Sequence, residues 1–159
     1  MVRHPSLRLL AARYVNFPGS LEVLFMKIAL LLCCMFALPV SAANVIIINA
    51  NNATGVDADT VKRIYLGRAK NFPDGSKALP LTFEKGNDLR ATFNSEVLGK
   101  SESQYSAFWS KLVFTGKGTP PEEVTTAEEM LKLVSENPNT IGFIDESMVD
   151  GSVTAIGTF

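Results

Sequence analysis

The chain of 159 residues has room for one domain, and its hydrophobic content of 47% is typical of a globular protein. Both cysteines and the single histidine lie before residue 43, which excludes thiolate nucleophiles, disulfides, Cys/His zinc sites and histidine general bases from the rest of the chain. Four of the 15 basic residues but only one of the 16 acidic residues lie there too. Residues 43–159 are therefore mildly acidic, without the basic face that a nucleic-acid partner needs.

Residues 26–42 have the order of parts found in a secretory signal peptide. Lys27 precedes an apolar run over residues 28–38, and a proline and small residues follow up to Ala42. Such a run suits the export machinery but is too short to span a bilayer stably. We therefore expect cleavage after Ala42, a mature periplasmic domain at 43–159, and no membrane-spanning segment after cleavage.

Residues 1–25 precede this complete signal. We interpret them as an upstream extension from a start codon assigned too early, with Met26 as the true initiator. A mitochondrial presequence is the alternative, because the stretch bears arginines and is nearly free of acidic residues. Pro5 and Pro18 interrupt the amphipathic pattern that a presequence requires.

Strand and helix signals alternate along the predicted mature domain, beginning with a strand. Residues 45–48 are a β-branched run without polar alternation, which predicts a strand covered on both faces. A polar loop over residues 49–55 follows. Apolar residues at helical spacing between Val61 and Tyr65 then predict a helix that ends at Gly67.

The middle of the chain predicts a second strand followed by two helices. Residues 79–83 are typical of extended structure, and Pro80 favours an edge position or the start of the strand. Apolar residues at four-residue spacing predict a helix over residues 87–98. Ser101 and Gln104 then form a capping-box pattern, followed by an aromatic stripe that predicts a buried helix face.

The last part of the chain predicts one more helix and two strands. Residues 114–121 contain two glycines and two prolines, so no regular structure is expected there. Thr126 and Glu129 form a second capping-box pattern that opens a helix. A buried strand is predicted at 140–144 and a last strand at 153–156. The alternation predicts a single, three-layer-like α/β domain with helices on the faces of a mixed sheet.

Five segments carry motifs that are more specific in their order and spacing than any one of them alone. Residues 56–83 read VDADTVKRIYLGRAKNFPDGSKALPLTF, and residues 139–144 read NTIGFI. Between them, residues 98–101, 108–112 and 114–121 read LGKS, FWSKL and FTGKGTPP. Together these segments resemble phosphate-type periplasmic binding proteins, and more closely a short subfamily of phosphate ABC transporter substrate-binding proteins.

This resemblance implies the fold of one lobe of a type II periplasmic binding protein. It also implies binding of phosphate or a related small oxyanion for ABC-type uptake or sensing, with an ABC permease or another envelope protein as partner. Because the chain supplies about one of the family's two lobes, the alternative is a protein-interaction module that keeps the fold without tight ligand binding. We expect no enzymatic activity, cofactor or metal, since no motif supports one.

The first candidate oxyanion ligands lie where the helix near residue 87 begins. The helix opened at Asn87 resembles the one that follows the family's Ser-Gly-Thr anion loop, and its first turn would present free N–H groups to an anion. Lys85 and Gly86 precede it, and Arg90 would add a bidentate contact one turn later. The structural alternative is that Asn87 or Asp88 only caps its own helix and the charged residues are solvated.

Two further polar loops supply the other candidates. Thr115, Gly116 and Lys117 combine a hydroxyl, a flexible backbone and a cation, as phosphate loops do, but without the spacing of a P-loop. The alternative there is a structural Gly-Pro connection. Asn51 follows the first strand, where α/β sheets commonly bind ligands, and is an equally good turn residue. We expect the three loops to converge at one edge of the sheet.

Overall fold

The computed structural model describes residues 43–52 and 55–159. The predicted signal peptide at 26–42 and the upstream extension at 1–25 lie outside the described residues. Within the described part of the chain, no helix combines the length and apolarity needed to cross a membrane.

Strands and helices alternate along most of the described domain. In chain order they are β1 (Asn44–Asn49), α1 (Ala58–Tyr65), β2 (Leu79–Phe83), α2 (Asp88–Glu96), α3 (Glu102–Phe114), β3 (Glu122–Val124), α4 (Ala127–Glu136), β4 (Thr140–Asp145), a 3₁₀ turn (Glu146–Met148) and β5 (Val153–Thr158). The predicted order of helices and strands is confirmed, and β3 is an addition. A three-residue strand is too short to produce a detectable hydrophobic period.

The five described strands form one sheet in the order β3-β2-β4-β1-β5. β2 is parallel to β3 and β4, whereas β1 is antiparallel to β4 and β5, so the predicted mixed sheet is confirmed. Pro80 is the second residue of β2 and pairs with Ile141 of β4. The prediction of a strand start is therefore correct, and that of an edge strand is wrong, because β3 covers the other side of β2.

The core is built on β1 and on an aromatic cluster between the sheet and two helices. All four residues at 45–48 are buried, as the β-branched run predicts. The Phe93 ring of α2 stacks on Phe143 of β4 with centroids 4.1 Å apart, and Tyr65 contacts Phe93 at 4.6 Å. The buried Tyr65 hydroxyl donates a hydrogen bond to the Leu81 carbonyl at 2.8 Å, which links α1 to β2.

Both predicted capping patterns open helices. The Ser101 side chain accepts from the Gln104 N–H and the Gln104 side chain accepts from the Ser101 N–H, which is the complete reciprocal box. At α4, Thr126 accepts from the Glu129 N–H, but the Glu129 carboxylate reaches back to the N–H of Thr125 rather than that of Thr126.

Three glycines allow close packing around two side chains. A Cβ on Gly142 of β4 would lie 2.5 Å from the Met130 sulfur, so its small size brings α4 close to the sheet. Trp109 of α3 fits between two others, since a Cβ on Gly67 or on Gly118 would lie 2.9 or 3.0 Å from its ring. Trp109 is thus a core residue held in a tight slot.

Candidate functional site

Asn87 caps helix α2. Its side-chain oxygen accepts hydrogen bonds from the N–H groups of Leu89 at 2.9 Å and Arg90 at 3.2 Å. Two of the first-turn donors that the oxyanion prediction would use are therefore satisfied internally. Gly86 directly before it has a φ of +91°, which glycine adopts without strain, and it forms the turn that leads into the cap.

Arg90 is buried, with 3% of its surface exposed, and lies in a network of acceptors. Its Nη1 donates to the Phe83 carbonyl at 2.6 Å and to Glu123 Oε1 at 2.7 Å. Its Nε and Nη2 contact the two carboxylate oxygens of Glu102 at 3.1 and 3.0 Å. Burial alone would lower the pKa of Arg90, but the bonds to Glu123 and Glu102 raise it above its ordinary value, so the guanidinium stays charged.

Glu102 is the centre of this network. Besides Arg90, it accepts from the Asn94 amide at 2.6 Å and the Ser106 hydroxyl at 3.2 Å. Its side chain is 31% exposed, whereas that of Glu123, bound only to Arg90 in the network, is 46% exposed. Glu102 therefore binds Arg90 more strongly than Glu123 does, because it makes two contacts to the guanidinium and is less exposed. A ligand would displace Glu123 more easily.

A cavity of about 450 Å³ lies beside this network. Lys85, Arg90 and Glu123 contribute its charged groups, and the rest of its wall consists of aromatic side chains, serines, prolines, Thr82 and Val113. Lys85 is exposed and forms no ion pair among the described residues. Burial raises the pKa of Tyr105, which also lines the wall, to about 12, so its hydroxyl remains neutral. We call this space the arginine cavity.

Thr115, Gly116 and Lys117 form the C-terminal cap of α3. Their N–H groups donate to carbonyls of the last helical turn at 3.1, 3.0 and 2.9 Å, and Gly116 has a φ of +65°. The Thr115 hydroxyl also donates to that turn, at 2.9 Å to the Lys111 carbonyl. These donors are used within the helix end, where the macrodipole is negative. The Lys117 side chain is exposed and remains available.

A second cavity of about 500 Å³ is lined by Gly116 and Lys117 together with Lys70 and Lys77. We call it the lysine cavity. Trp109 and Pro120 line both cavities, so the two share part of a wall. The structure therefore brings Lys85 and Arg90 together on one cavity and places Lys117 on the other. Sequence reasoning missed Lys70 and Lys77, because only the folded loop brings them near residue 117.

Asn51 lines neither cavity. It is exposed, and its backbone N–H donates to the Asn49 side chain at 2.9 Å. The side chains of the buried neighbours Asn49 and Asn52 donate to carbonyls in and just after the last turn of α4, Asn49 to Val134 at 2.9 Å and Asn52 to Pro138 at 2.6 Å. This loop therefore fastens α4 to the end of β1. Within residues 43–52 and 55–159, no group of three or more acidic, histidine or cysteine residues is arranged to hold a metal.

No protein-family model matches the chain, and a search of curated proteins finds no match. Solved structures do match its fold. An ABC-type phosphate transport receptor from Vibrio cholerae matches with a TM-score of 0.58 and 24% identity over 72% of this chain and 45% of the receptor. A protein described as a phosphate ABC transporter substrate-binding protein with bound phosphate, from Clostridium perfringens, matches with a TM-score of 0.58 and 22% identity over 72% of this chain and 44% of its own.

PstS from Borrelia burgdorferi matches with a TM-score of 0.55 and 12% identity, over 72% of this chain and 46% of its own. The chain thus spans less than half of the length of each of these proteins. At these identities the likeness concerns the fold. The described domain is a single α/β unit with the fold of one lobe of phosphate-type periplasmic binding proteins, as the sequence predicts.

Proposed function

We propose that the protein is a solute-binding-like component of the cell envelope that binds phosphate or a related small oxyanion for ABC-type uptake or sensing. In this proposal residues 26–42 direct export, the mature domain is periplasmic, and an ABC permease or another envelope protein is its partner. The observation that carries the proposal is the position of Lys85 and Arg90 on one cavity of a phosphate-receptor-like lobe.

The arginine cavity offers an oxyanion one free cation and one cation that is already paired. Lys85 supplies the free charge, and an anion there would also approach Arg90 Nη1. That atom is bonded to Glu123, whose half-exposed carboxylate occupies a position that a ligand oxygen would take. A tetrahedral oxyanion must therefore displace Glu123 or tolerate its negative charge, and both effects weaken binding.

Calorimetry with phosphate and sulfate tests this proposal on the purified protein and on Glu123→Gln. The glutamine keeps the size of the side chain and removes the competing charge. We expect the affinity for phosphate to rise by at least about threefold, since removal of one nearby like charge is worth on the order of 0.7 kcal/mol in a partly solvated site. Lys85→Gln should weaken it by a similar factor.

Glu136→Gln is the matched control, because Glu136 is an exposed glutamate at the end of α4 that lines neither cavity. It changes the net charge of the protein equally and should leave the affinity unchanged. Absence of heat with millimolar phosphate in both the original protein and Glu123→Gln would exclude oxyanion binding at this cavity.

A second candidate function is a protein-interaction module of an envelope transporter or sensor. One observation favours it: Phe114, the last residue of α3, is 91% exposed, and its neighbour Val113 is 52% exposed. Both residues also line the arginine cavity. Exposed apolar side chains that rim a cavity are typical of surfaces that bind another protein.

Sedimentation velocity of the purified protein and of Phe114→Ser tests this second function through self-association. We expect concentration-dependent association that the serine variant loses. A protein that remains monomeric at high concentration and binds phosphate as described above would favour the first function over this one.

A further inference from the structure

The lysine cavity is formed by two stretches of the chain, residues 64–80 and 109–122. A short antiparallel bridge between Asn71 and Lys77 closes a loop, and the Ala78 N–H donates to the Lys70 carbonyl at 2.9 Å, so Lys70 and Lys77 flank the same turn. The segment after α3 brings Lys117 to the same cavity, and the start of β2 forms part of the wall.

The charge of this cavity is strongly unbalanced. Lys70, Lys77 and Lys117 line it, against one carboxylate, that of Glu122. Within residues 43–52 and 55–159, none of the three lysines forms an ion pair. The surface of the mature domain is mildly acidic, so a cavity lined by three unpaired cations stands out as a place where an anion gains electrostatic free energy.

Apart from Thr119, the uncharged residues of the wall are apolar side chains and glycines. Ile64, Leu79 and Pro80 contribute aliphatic surface, and the Trp109 ring contributes an aromatic one. Trp109 is only 6% exposed and is held between Gly67 and Gly118, so its ring is fixed in place before any ligand binds. The volume of about 500 Å³ falls in the range of roughly 300–1,000 Å³ that is usual for small-molecule sites.

We infer that the lysine cavity binds an organic anion, in which a carboxylate or phosphate ester group contacts the lysines and an apolar or aromatic body lies against Trp109. In this inference the lysines contact the anionic group of the ligand. The apolar wall contacts an apolar or aromatic part of the ligand, which inorganic phosphate does not have. This site differs from the arginine cavity in its cations, because Lys85 and Arg90 do not line it, although Trp109 and Pro120 line both cavities. It therefore does not depend on the function proposed above.

The intrinsic fluorescence of Trp109 provides the assay, because it is the only tryptophan of the chain. The probes are phenyl phosphate and benzoate, with benzyl alcohol as the neutral analogue and inorganic phosphate as the anion without a body. We expect a saturable fluorescence change with one or both of the aromatic anions. At the lysine cavity, benzyl alcohol and inorganic phosphate should bind at least about tenfold more weakly, since each lacks one of the two contacts. Trp109 lines both cavities, so a response to inorganic phosphate that Lys85→Gln removes is assigned to the arginine cavity. A comparison of the affinities for phenyl phosphate and benzoate shows whether the site prefers a phosphate ester or a carboxylate.

Charge-removing variants locate the site. Lys77→Gln and Lys117→Gln should each weaken the aromatic anion by about three- to tenfold, because each removes one of three cations from a partly solvated site. Lys85→Gln is the matched control on the arginine cavity, and Lys132→Gln is an exposed control on α4; both should leave the affinity unchanged. All four lysines are exposed, so the variants should keep their melting temperature.

Two results would overturn the inference. One is the absence of a saturable change with either aromatic anion. The other is a loss of affinity in Lys85→Gln as large as in Lys77→Gln, which would place the anion in the arginine cavity. The oxyanion proposal is tested instead by calorimetry with phosphate and by the Glu123 variant. Either proposal can therefore be wrong while the other is right.

Discussion

Arg90 and Glu102 form a two-bond ion pair that joins α2 to α3, with Nε 3.1 Å from Oε2 and Nη2 3.0 Å from Oε1. A parallel pair of charged hydrogen bonds fixes both side chains in one geometry. Because Arg90 also contacts Glu123 on β3 and the Phe83 carbonyl on β2, one guanidinium connects two helices and two strands. The pair therefore has a structural role as well as a place in the candidate site.

Replacing Glu102 should destabilise the domain more than replacing Glu123. Glu102→Ala removes both bonds to Arg90 and leaves Asn94 and Ser106 without their acceptor. We expect a loss of about 2–3 kcal/mol in the free energy of unfolding, since removing one partner of a buried charged pair leaves the other poorly compensated. Urea unfolding measures it, with Glu136→Ala as the control. Equal losses for the Glu102 and Glu123 variants would contradict the unequal roles described here.

Gly142 should not tolerate alanine. The added methyl group would lie 2.5 Å from the Met130 sulfur and 3.2 Å from a methyl of Val134, so α4 must shift away from the sheet. We expect a loss of about 1–3 kcal/mol, the usual cost of overpacking a core. Gly157→Ala in β5 is the control, because nothing lies within 4 Å of its added methyl group.

The double variant Gly142→Ala, Met130→Ala refines this prediction. Removal of the methionine side chain relieves the contact, so the two losses should be clearly less than additive. Additive losses would show that the Met130 contact does not explain the need for glycine.

The N-terminal cap of α1 should make the free energy of unfolding depend on pH in the acidic range. Hydrogen bonds from Thr60 lower the pKa of the Asp57 carboxyl below its ordinary value. The unfolded chain therefore takes up a proton at higher pH than the folded one, and this contribution to stability is complete above the unfolded pKa. It is lost as the pH falls through the lower folded pKa.

Asp57→Asn tests that dependence, because asparagine is also a good N-cap but does not titrate. Urea unfolding of both proteins between neutral pH and about pH 2 should show a smaller loss for the asparagine variant at the acidic end. If the free energies of unfolding of the two proteins change in parallel over the whole pH range, the role assigned to Asp57 is wrong.

The sequence predicts the fold better than the site, for identifiable reasons. The buried run of β1 and the Ser101 capping box are local signals, and the structure confirms both. The local sequence does not decide whether Asn87 caps its own helix or binds an anion, since the same residue type at the same position serves both purposes. Nor does any spacing reveal that Arg90 meets Glu123, 33 residues further along the chain.

The lysine cavity shows the same limitation. Lys70 and Lys77 lie in a turn, where isolated charged residues are usually only solvated. Their proximity to Lys117 depends on how α3 and the turn pack around Trp109, which a reading of periodicity does not provide. Residues 115–121 lack regular structure, as expected, but the expectation is wrong for Phe114, which is the last residue of α3. The prediction of phosphate contacts in this segment remains a prediction.

A crystal structure of the purified protein with bound phosphate tests the central proposal most directly. The account predicts density for the anion in the arginine cavity, in contact with Lys85 and Arg90, with the Glu123 carboxylate turned away from Nη1. Density elsewhere, or an empty cavity with Glu123 still bound to Arg90 at saturating phosphate, would contradict it.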